Sequence, residues 1–160
     1  MSKMPELMPF GKYAEKSVEQ IALQDYKYFL WILDKTDIRK PSLRSRFQFV
    51  YNVANKFISA KSCARCENPA KYLSVYYGFD NVRTSSLPFL YCSSDCYDND
   101  PAVSDSKSSL EPLKFDTALS LVKFDTNRLV EIIAECMGLK KGRKTKEYLE
   151  DFFNRCPTYK

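Results

Sequence analysis

The 160-residue chain contains no histidine. Imidazole is the usual general base near neutral pH and the commonest nitrogen ligand for metals, so its absence excludes Ser-His-Asp and Cys-His catalysis, His-ligated catalytic zinc and histidine-dependent nuclease chemistry. Glycine occurs four times and proline eight, too rarely for a low-complexity chain. No run of about 18 apolar residues exists, so nothing is expected to span a bilayer. The longest apolar candidate is the short stretch around Phe29 to Leu33. The segment Met1 to Phe10 has one lysine and no apolar core of signal-peptide length, which predicts a cytoplasmic, reducing location. What remains is an ordinary globular composition, 44% hydrophobic and 28% charged, of a length for one domain or two small units sharing a core.

Cysteine is not scarce. Of the six, Cys63, Cys66, Cys92 and Cys96 stand as C-x2-C, a gap of 25 residues, then C-x3-C. Two cysteines separated by two or three residues share a metal because a tight turn brings both sulfurs to one point. In a secreted chain the same residues would read as a disulfide framework, and a third reading is a set of unconnected core thiols. A reducing compartment keeps thiols free and favours metal. The spacing therefore predicts one structural Zn2+ held by Cys63, Cys66, Cys92 and Cys96. Four thiolates leave no open coordination position, so the site is expected to organise structure and to carry no chemistry of its own. Cys136 reads as a core thiol and Cys156 as an incidental surface thiol.

Net charge is +5, unevenly spread. Residues 1–62 hold eleven Lys and Arg against six Asp and Glu, residues 63–109 four against six, and residues 110–160 ten against eight. Two basic flanks enclose an acidic middle, and four thiolates on one divalent ion make that middle more acidic by about two charges. A basic balance of this size hints at a polyanionic partner.

Helical signals dominate the flanks. Ser17 with Gln20 fits a capping box that starts a helix at Val18. Asp25 caps a second helix with Tyr26, Phe29, Leu30 and Leu33 on one face, ending near Asp37. Pro41 opens a third, whose apolar stripe is Leu43, Phe47, Val50, Tyr51, Ala54, Phe57 and Ile58. Between the cysteine pairs, Tyr72 to Phe79 and Leu87 to Tyr91, separated by Gly78, Asp80 and Asn81, read as a β-hairpin or two short strands. The serine-rich stretch Asp98 to Ser109 reads as a loop or linker. Asp125 or Thr126 caps a helix with Leu129, Ile132, Ile133, Cys136 and Met137 on one face, stopped by Gly138 in the left-handed conformation. Thr145 caps a last helix burying Tyr148, Leu149, Phe152 and Phe153.

Two segments resemble known families. Met8-Pro9-Phe10-Gly11-Lys12-Tyr13, followed by Tyr28-x-x-Trp31-Ile32-Leu33, resembles the small domain at the C-terminus of exodeoxyribonuclease X-like proteins, across residues 7–40. Those proteins typically carry Lys-Gly-Lys where Ala14-Glu15-Lys16 stands here. The resemblance implies a DNA- or RNA-associated setting and brings no active site, because the exonuclease's catalytic carboxylates belong to a separate domain. Phe10 and Trp31 are expected to clasp the turn in preference to stacking on bases, with Lys12 the better contact for phosphate. The second segment, Cys63-x-x-Cys66 and Tyr91-Cys92-Ser93-Ser94-Asp95-Cys96, resembles treble-clef zinc modules, with a zinc ribbon as the alternative.

The expected fold is α+β: mostly helical flanks packed around a small four-cysteine zinc module with a short β-hairpin. Its parts are a helical unit over 1–62, the zinc module over 63–98, a loop over 99–111, and C-terminal helices over 112–160 packing on the first unit. The expected function is non-catalytic nucleic-acid binding, DNA or RNA, as a small component of a nucleoprotein or DNA-processing assembly. Candidate phosphate contacts are Lys12, Arg39, Lys40, Arg44, Arg46, Lys140, Lys141, Arg143, Lys144 and Lys146, five of them within the seven residues 140–146. Charged faces that serve only solubility are the plain alternative. A protein-interaction adaptor using the zinc module is the alternative function, and a metal-dependent enzyme the weakest. No membrane and no small-molecule substrate are expected.

Overall fold

The computed structural model describes residues 7–35, 38–56, 59–76, 88–103, 108–121 and 125–155. The predicted helix end at Asp37, the stripe residues Phe57 and Ile58, the strand separators Gly78, Asp80 and Asn81, and Cys156 lie outside them. The described residues form seven helices and one three-stranded antiparallel sheet, an α+β fold, with the chain dividing into two compact units. One comprises Met1–Lys56 with Lys141–Lys160, the other Phe57–Lys140.

The first unit is helical: α1 (Val18–Gln24), α2 (Tyr26–Lys35), α3 (Pro41–Lys56) and α7 (Lys146–Asn154). Ser17 and Gln20 form the expected reciprocal cap, Asp25 Oδ1 accepts from the Tyr28 N–H at the start of α2, and Thr145 accepts from Tyr148 N–H at the start of α7. Helix ends are satisfied this way because the first N–H groups have no partner within the helix. Helices α1, α2 and α3 pack on one another and α7 packs on α1 and α3. Their core is aromatic: Tyr26, Phe29, Phe47 and Phe153 are fully buried, Phe29 stacks on both Tyr26 and Phe47, and Asn55 donates to the Tyr26 hydroxyl at 3.0 Å. Tyr148, expected in this core, is only partly buried.

Ahead of α1, residues 8–16 form a closed turn. Met8 N–H donates to Lys16 O and Glu15 N–H to Met8 O, both at 2.9 Å, below a bridge between Leu7 and Ser17. Gly11 (φ 79°) and Glu15 (φ 66°) both take the left-handed conformation there. At Gly11 glycine is required twice over, since a Cβ would lie 2.7 Å from the Tyr28 hydroxyl oxygen. The apolar packing of the turn falls to Met8, 1% exposed, and to Tyr28, which meets Tyr13 edge to face. Phe10 and Trp31, expected to clasp the turn, are instead 47% and 52% exposed.

The second unit contains β1 (Tyr72–Tyr76), β2 (Leu90–Tyr91), α4 (Ser94–Asp98), β3 (Ser108–Pro112), α5 (Thr117–Ser120) and α6 (Thr126–Cys136). Sheet order is β2-β1-β3, with Tyr72 opposite both Tyr91 and Pro112. The expected pairing of two strands between the cysteine pairs is present. Strand β3 was not expected, because Ser-Ser-Leu-Glu-Pro lacks the β-branched and aromatic residues that mark strands; it forms because β1 offers a partner along its full length. Asp125 caps α6, and its end is a Schellman turn in which Leu139 N–H reaches Ala134 O at 2.8 Å past Gly138 (φ 107°). Ser59 donates to Cys136 O, satisfying another carbonyl at that end.

Candidate metal centre

The two cysteine pairs are brought together by backbone hydrogen bonds around β2. Residues 61–70 fold back on themselves: Cys63 N–H donates to Asn68 O and Ala70 N–H to Lys61 O, both at 2.9 Å. Ala64, between the first two cysteines, donates to Leu90 O at 2.7 Å, so this knuckle is stitched to the edge of β2. Strand β2 runs directly into Cys92. Ser93 then caps α4, its hydroxyl accepting from Cys96 N–H at 3.3 Å, which turns Cys96 back toward Cys92.

The four sulfurs converge. All lie within 4.8 Å of one another, with Cys66–Cys92 at 3.5 Å, Cys92–Cys96 at 3.6 Å and Cys66–Cys96 at 4.0 Å. All four are free thiols. One metal ion could be held by Cys63, Cys66, Cys92 and Cys96 together. Cys63 is the most buried of them. Burial opposes its ionisation, but the N–H groups of Arg65, Cys92 and Cys66 directed at its sulfur prevail and bring the thiol down to about 6. The Ser93 hydroxyl lowers Cys96, yet the Cys92 thiol, burial and the other sulfurs outweigh it and push Cys96 up to about 12. At Cys66 the Asn68 N–H lowers the thiol, and Cys92, burial and Cys63 together raise it. Thiols this close resist ionising together, and a cation among them reverses that resistance.

Beneath the cluster sits a small core of Tyr91 and Val103, with Tyr97 and Leu110 against it. Tyr91 is fully buried and donates from its hydroxyl to Asp100 Oδ2 at 2.9 Å, while Asp100 Oδ1 accepts from Ala102 N–H. Those two hydrogen bonds, the Ala102 one the stronger, hold the Asp100 carboxyl below its usual range. Tyr97 meets Tyr91 edge to face at 5.3 Å and bonds Ser108 at the start of β3. Sequence reasoning picked out Tyr91 as a strand residue and as part of the knuckle motif, and missed Asp100 altogether. One Asp among three in the polar stretch 93–100 carries no signal of burial.

The predicted phosphate contacts scatter over the fold. Arg39, Lys40 and Arg44 are exposed at the start of α3, Lys141, Arg143 and Lys144 are exposed ahead of α7, and Lys146 opens that helix. Lys140 is exposed in the second unit. Lys12 is tied to Asp25 at 3.2 Å and lies over the Tyr13 ring; its hydrogen bonds with Tyr13 and Asp25 raise its pKa. Arg46 is turned inward. It pairs with the fully buried Glu19 and approaches Glu150 at 3.4 Å, so its charge is matched inside the first unit.

The chain matches no protein-family model, no curated protein and no solved structure. No helix among the described residues is long and apolar enough to cross a membrane.

Proposed function

We propose that this chain is a non-catalytic nucleic-acid-binding accessory protein whose second unit is organised by one structural zinc ion. The convergence of four thiols carries the zinc part of the reading. A tetrahedron with metal–sulfur distances of about 2.3 Å has sulfur–sulfur edges of about 3.8 Å, close to the 3.5–4.0 Å spacing of Cys66, Cys92 and Cys96. An all-thiolate set suits zinc better than magnesium or calcium, which prefer oxygen. A closed set of four ligands leaves no position for substrate, which supports a scaffold in preference to an enzyme. Free thiols at every described cysteine fit a reducing, cytoplasmic setting.

The nucleic-acid part rests on charge and on the resemblance of residues 7–40. Exposed Arg39, Lys40, Arg44, Lys141, Arg143 and Lys144 are suited to neutralising phosphates and releasing counterions. Arg46 is left out of this surface because Glu19 and Glu150 occupy it. The adaptor reading has one observation of its own: Phe89, next to β2, is 49% exposed in the unit with the fewer cations, where a protein partner is a better match than a polyanion.

Elemental analysis of the purified protein tests the metal, with one zinc per chain expected. Titration with labelled oligonucleotides at two salt concentrations tests the rest. Affinity should fall steeply with salt, with a log-log slope approaching the number of phosphates engaged. Replacing Lys141, Arg143 and Lys144 together by Ala should weaken binding to all sequences alike and leave helix content unchanged. Salt-independent or absent binding favours the adaptor.

A further inference from the structure

Trp31, the only tryptophan in the chain, lies 52% exposed on α2. Tryptophan is highly buried on average, whereas Trp31 stands off the inward face formed by Tyr26, Phe29 and Ile32 of the same helix. One side of the indole is supported: Tyr28, one turn earlier, stacks against it with ring centroids 5.6 Å apart and planes inclined by 29°. Tyr28 is in turn fixed by Tyr13 at 5.1 Å and by its close approach to Gly11. Trp31 is thus the outermost member of an aromatic series anchored in the 8–16 turn, and Phe10, beside Gly11 in that turn, is a second half-exposed ring.

Charge says what this series faces. Lys27 and Lys35 stand four residues before and after Trp31, on the same side of α2, and both are exposed. Asp34 is the acidic neighbour on that helix; Asp25 is already engaged by Lys12 and Tyr13. The unit that carries the series holds sixteen Lys and Arg against nine Asp and Glu, a net +7, whereas the other unit holds nine against eleven. A flat ring with an open face, set between two ammonium groups on a strongly cationic unit, matches an unpaired base with phosphate on either side. Duplex does not match, since its bases are already stacked and their faces closed.

We infer that Trp31, backed by Tyr28 and flanked by Lys27 and Lys35, is a stacking platform for single-stranded nucleic acid. The inference rests on the nucleic-acid reading above and adds to it the strand state of the ligand and the place where it sits.

Because Trp31 is the sole tryptophan, its fluorescence reports on this place alone. The full-length, metal-loaded protein would be titrated with a labelled single-stranded oligonucleotide of mixed sequence, reading label polarisation and tryptophan emission together, then with the same sequence as a duplex. Polarisation should rise and Trp31 emission should be quenched over the same concentrations, with single strand bound at least several-fold tighter than duplex. Trp31→Ala should weaken single-strand binding about 5- to 150-fold, the range produced by removing one base-stacking partner, while Trp31→Phe retains most of the affinity. Lys27→Ala with Lys35→Ala should lower the salt slope by about 1.4, roughly 0.7 for each phosphate of a single strand. A rise in polarisation with no quenching and no effect of Trp31→Ala overturns the platform and leaves the broader reading standing. Equal quenching by duplex overturns the single-strand assignment. No rise with any oligonucleotide overturns both. Circular dichroism of each variant separates lost contact from lost fold.

Discussion

The two units are held together by different physics and carry opposite charge. The first, with net +7, is a set of amphipathic helices around stacked aromatic rings. The second has a net charge of −2 before any metal is counted, and at its cysteine end the core shrinks to Tyr91, Val103 and the sulfurs themselves. A core of that size cannot offset the entropy of ordering the knuckles, the short β2 and the five-residue α4. Burial suffices for the first unit, whereas the cysteine end of the second would be completed by a metal ion on the reading proposed above. On that reading the cationic unit would present its charges without depending on the metal.

The largest test of that contrast is metal removal. Cys66→Ser, or a strong chelator, should unfold the cysteine end of the second unit, because the free energy of a structural zinc, about 10–16 kcal/mol in small zinc modules, is largely folding free energy. Amide protection should vanish for β2 and α4 and persist for α1, α2 and α3. A variant that stays fully protected without metal would falsify the division of labour. Uniform loss across both units would show instead that the first unit depends on the ion.

The first unit has its own point of weakness. Glu19 is fully buried on α1 and its countercharge is Arg46 on α3, 19% exposed. Removing one partner of a buried pair leaves a charge without water or counterion, so Arg46→Met should cost about 3–5 kcal/mol, read as a lower denaturant midpoint. Pairing it with Glu19→Leu should restore most of that loss. If Arg46→Met folds normally and binds nucleic acid less well, Arg46 belongs among the phosphate contacts after all. Burial pushes the neighbouring Glu150 carboxyl up, with Glu19 adding to it, in keeping with one guanidinium shared between two acids.

These two regions were unequally legible in the sequence. Cysteine spacing is a short-range signal with few interpretations, and Cys63, Cys66, Cys92 and Cys96 meet as the spacing predicts. Caps at Ser17, Asp125 and Thr145 were equally readable, since a side chain satisfying an N–H three residues on is local chemistry. Long-range matters were not. Nothing in Ser108 to Pro112 announces a strand until β1 is beside it, and nothing in Arg46 distinguishes it from Arg44 until Glu19 is placed 27 residues earlier and buried. Periodicity places Tyr26 and Phe29 on the inward face of α2, but Leu30 and Leu33, expected beside them, are only partly buried and Ile32 is buried in their place, which is a fact about the neighbours of that helix.

The smallest expected effect concerns the turn that supports the aromatic series. Gly11 and Glu15 share the left-handed conformation, yet only one is glycine. For Glu15 that backbone costs about 1–2 kcal/mol relative to glycine, partly cancelled by the roughly 0.5–1 kcal/mol that a glycine adds to the entropy of the unfolded chain. Glu15→Gly, which installs the residue usual in the resembling domain, should therefore stabilise the first unit by about 0.5 kcal/mol, a small rise in denaturant midpoint. Gly11→Ala should do the opposite and more, because strain is joined by the clash of its Cβ with the Tyr28 hydroxyl oxygen at 2.7 Å. It should also loosen Tyr28 beneath Trp31 and red-shift the tryptophan emission as the indole gains contact with water, which Glu15→Gly should leave unchanged. A loss of stability in Glu15→Gly would mean that the Glu15 side chain makes a contact worth more than its backbone strain, and the turn would then owe its shape to that side chain and not to the hydrogen bonds from Met8 N–H to Lys16 O and from Glu15 N–H to Met8 O.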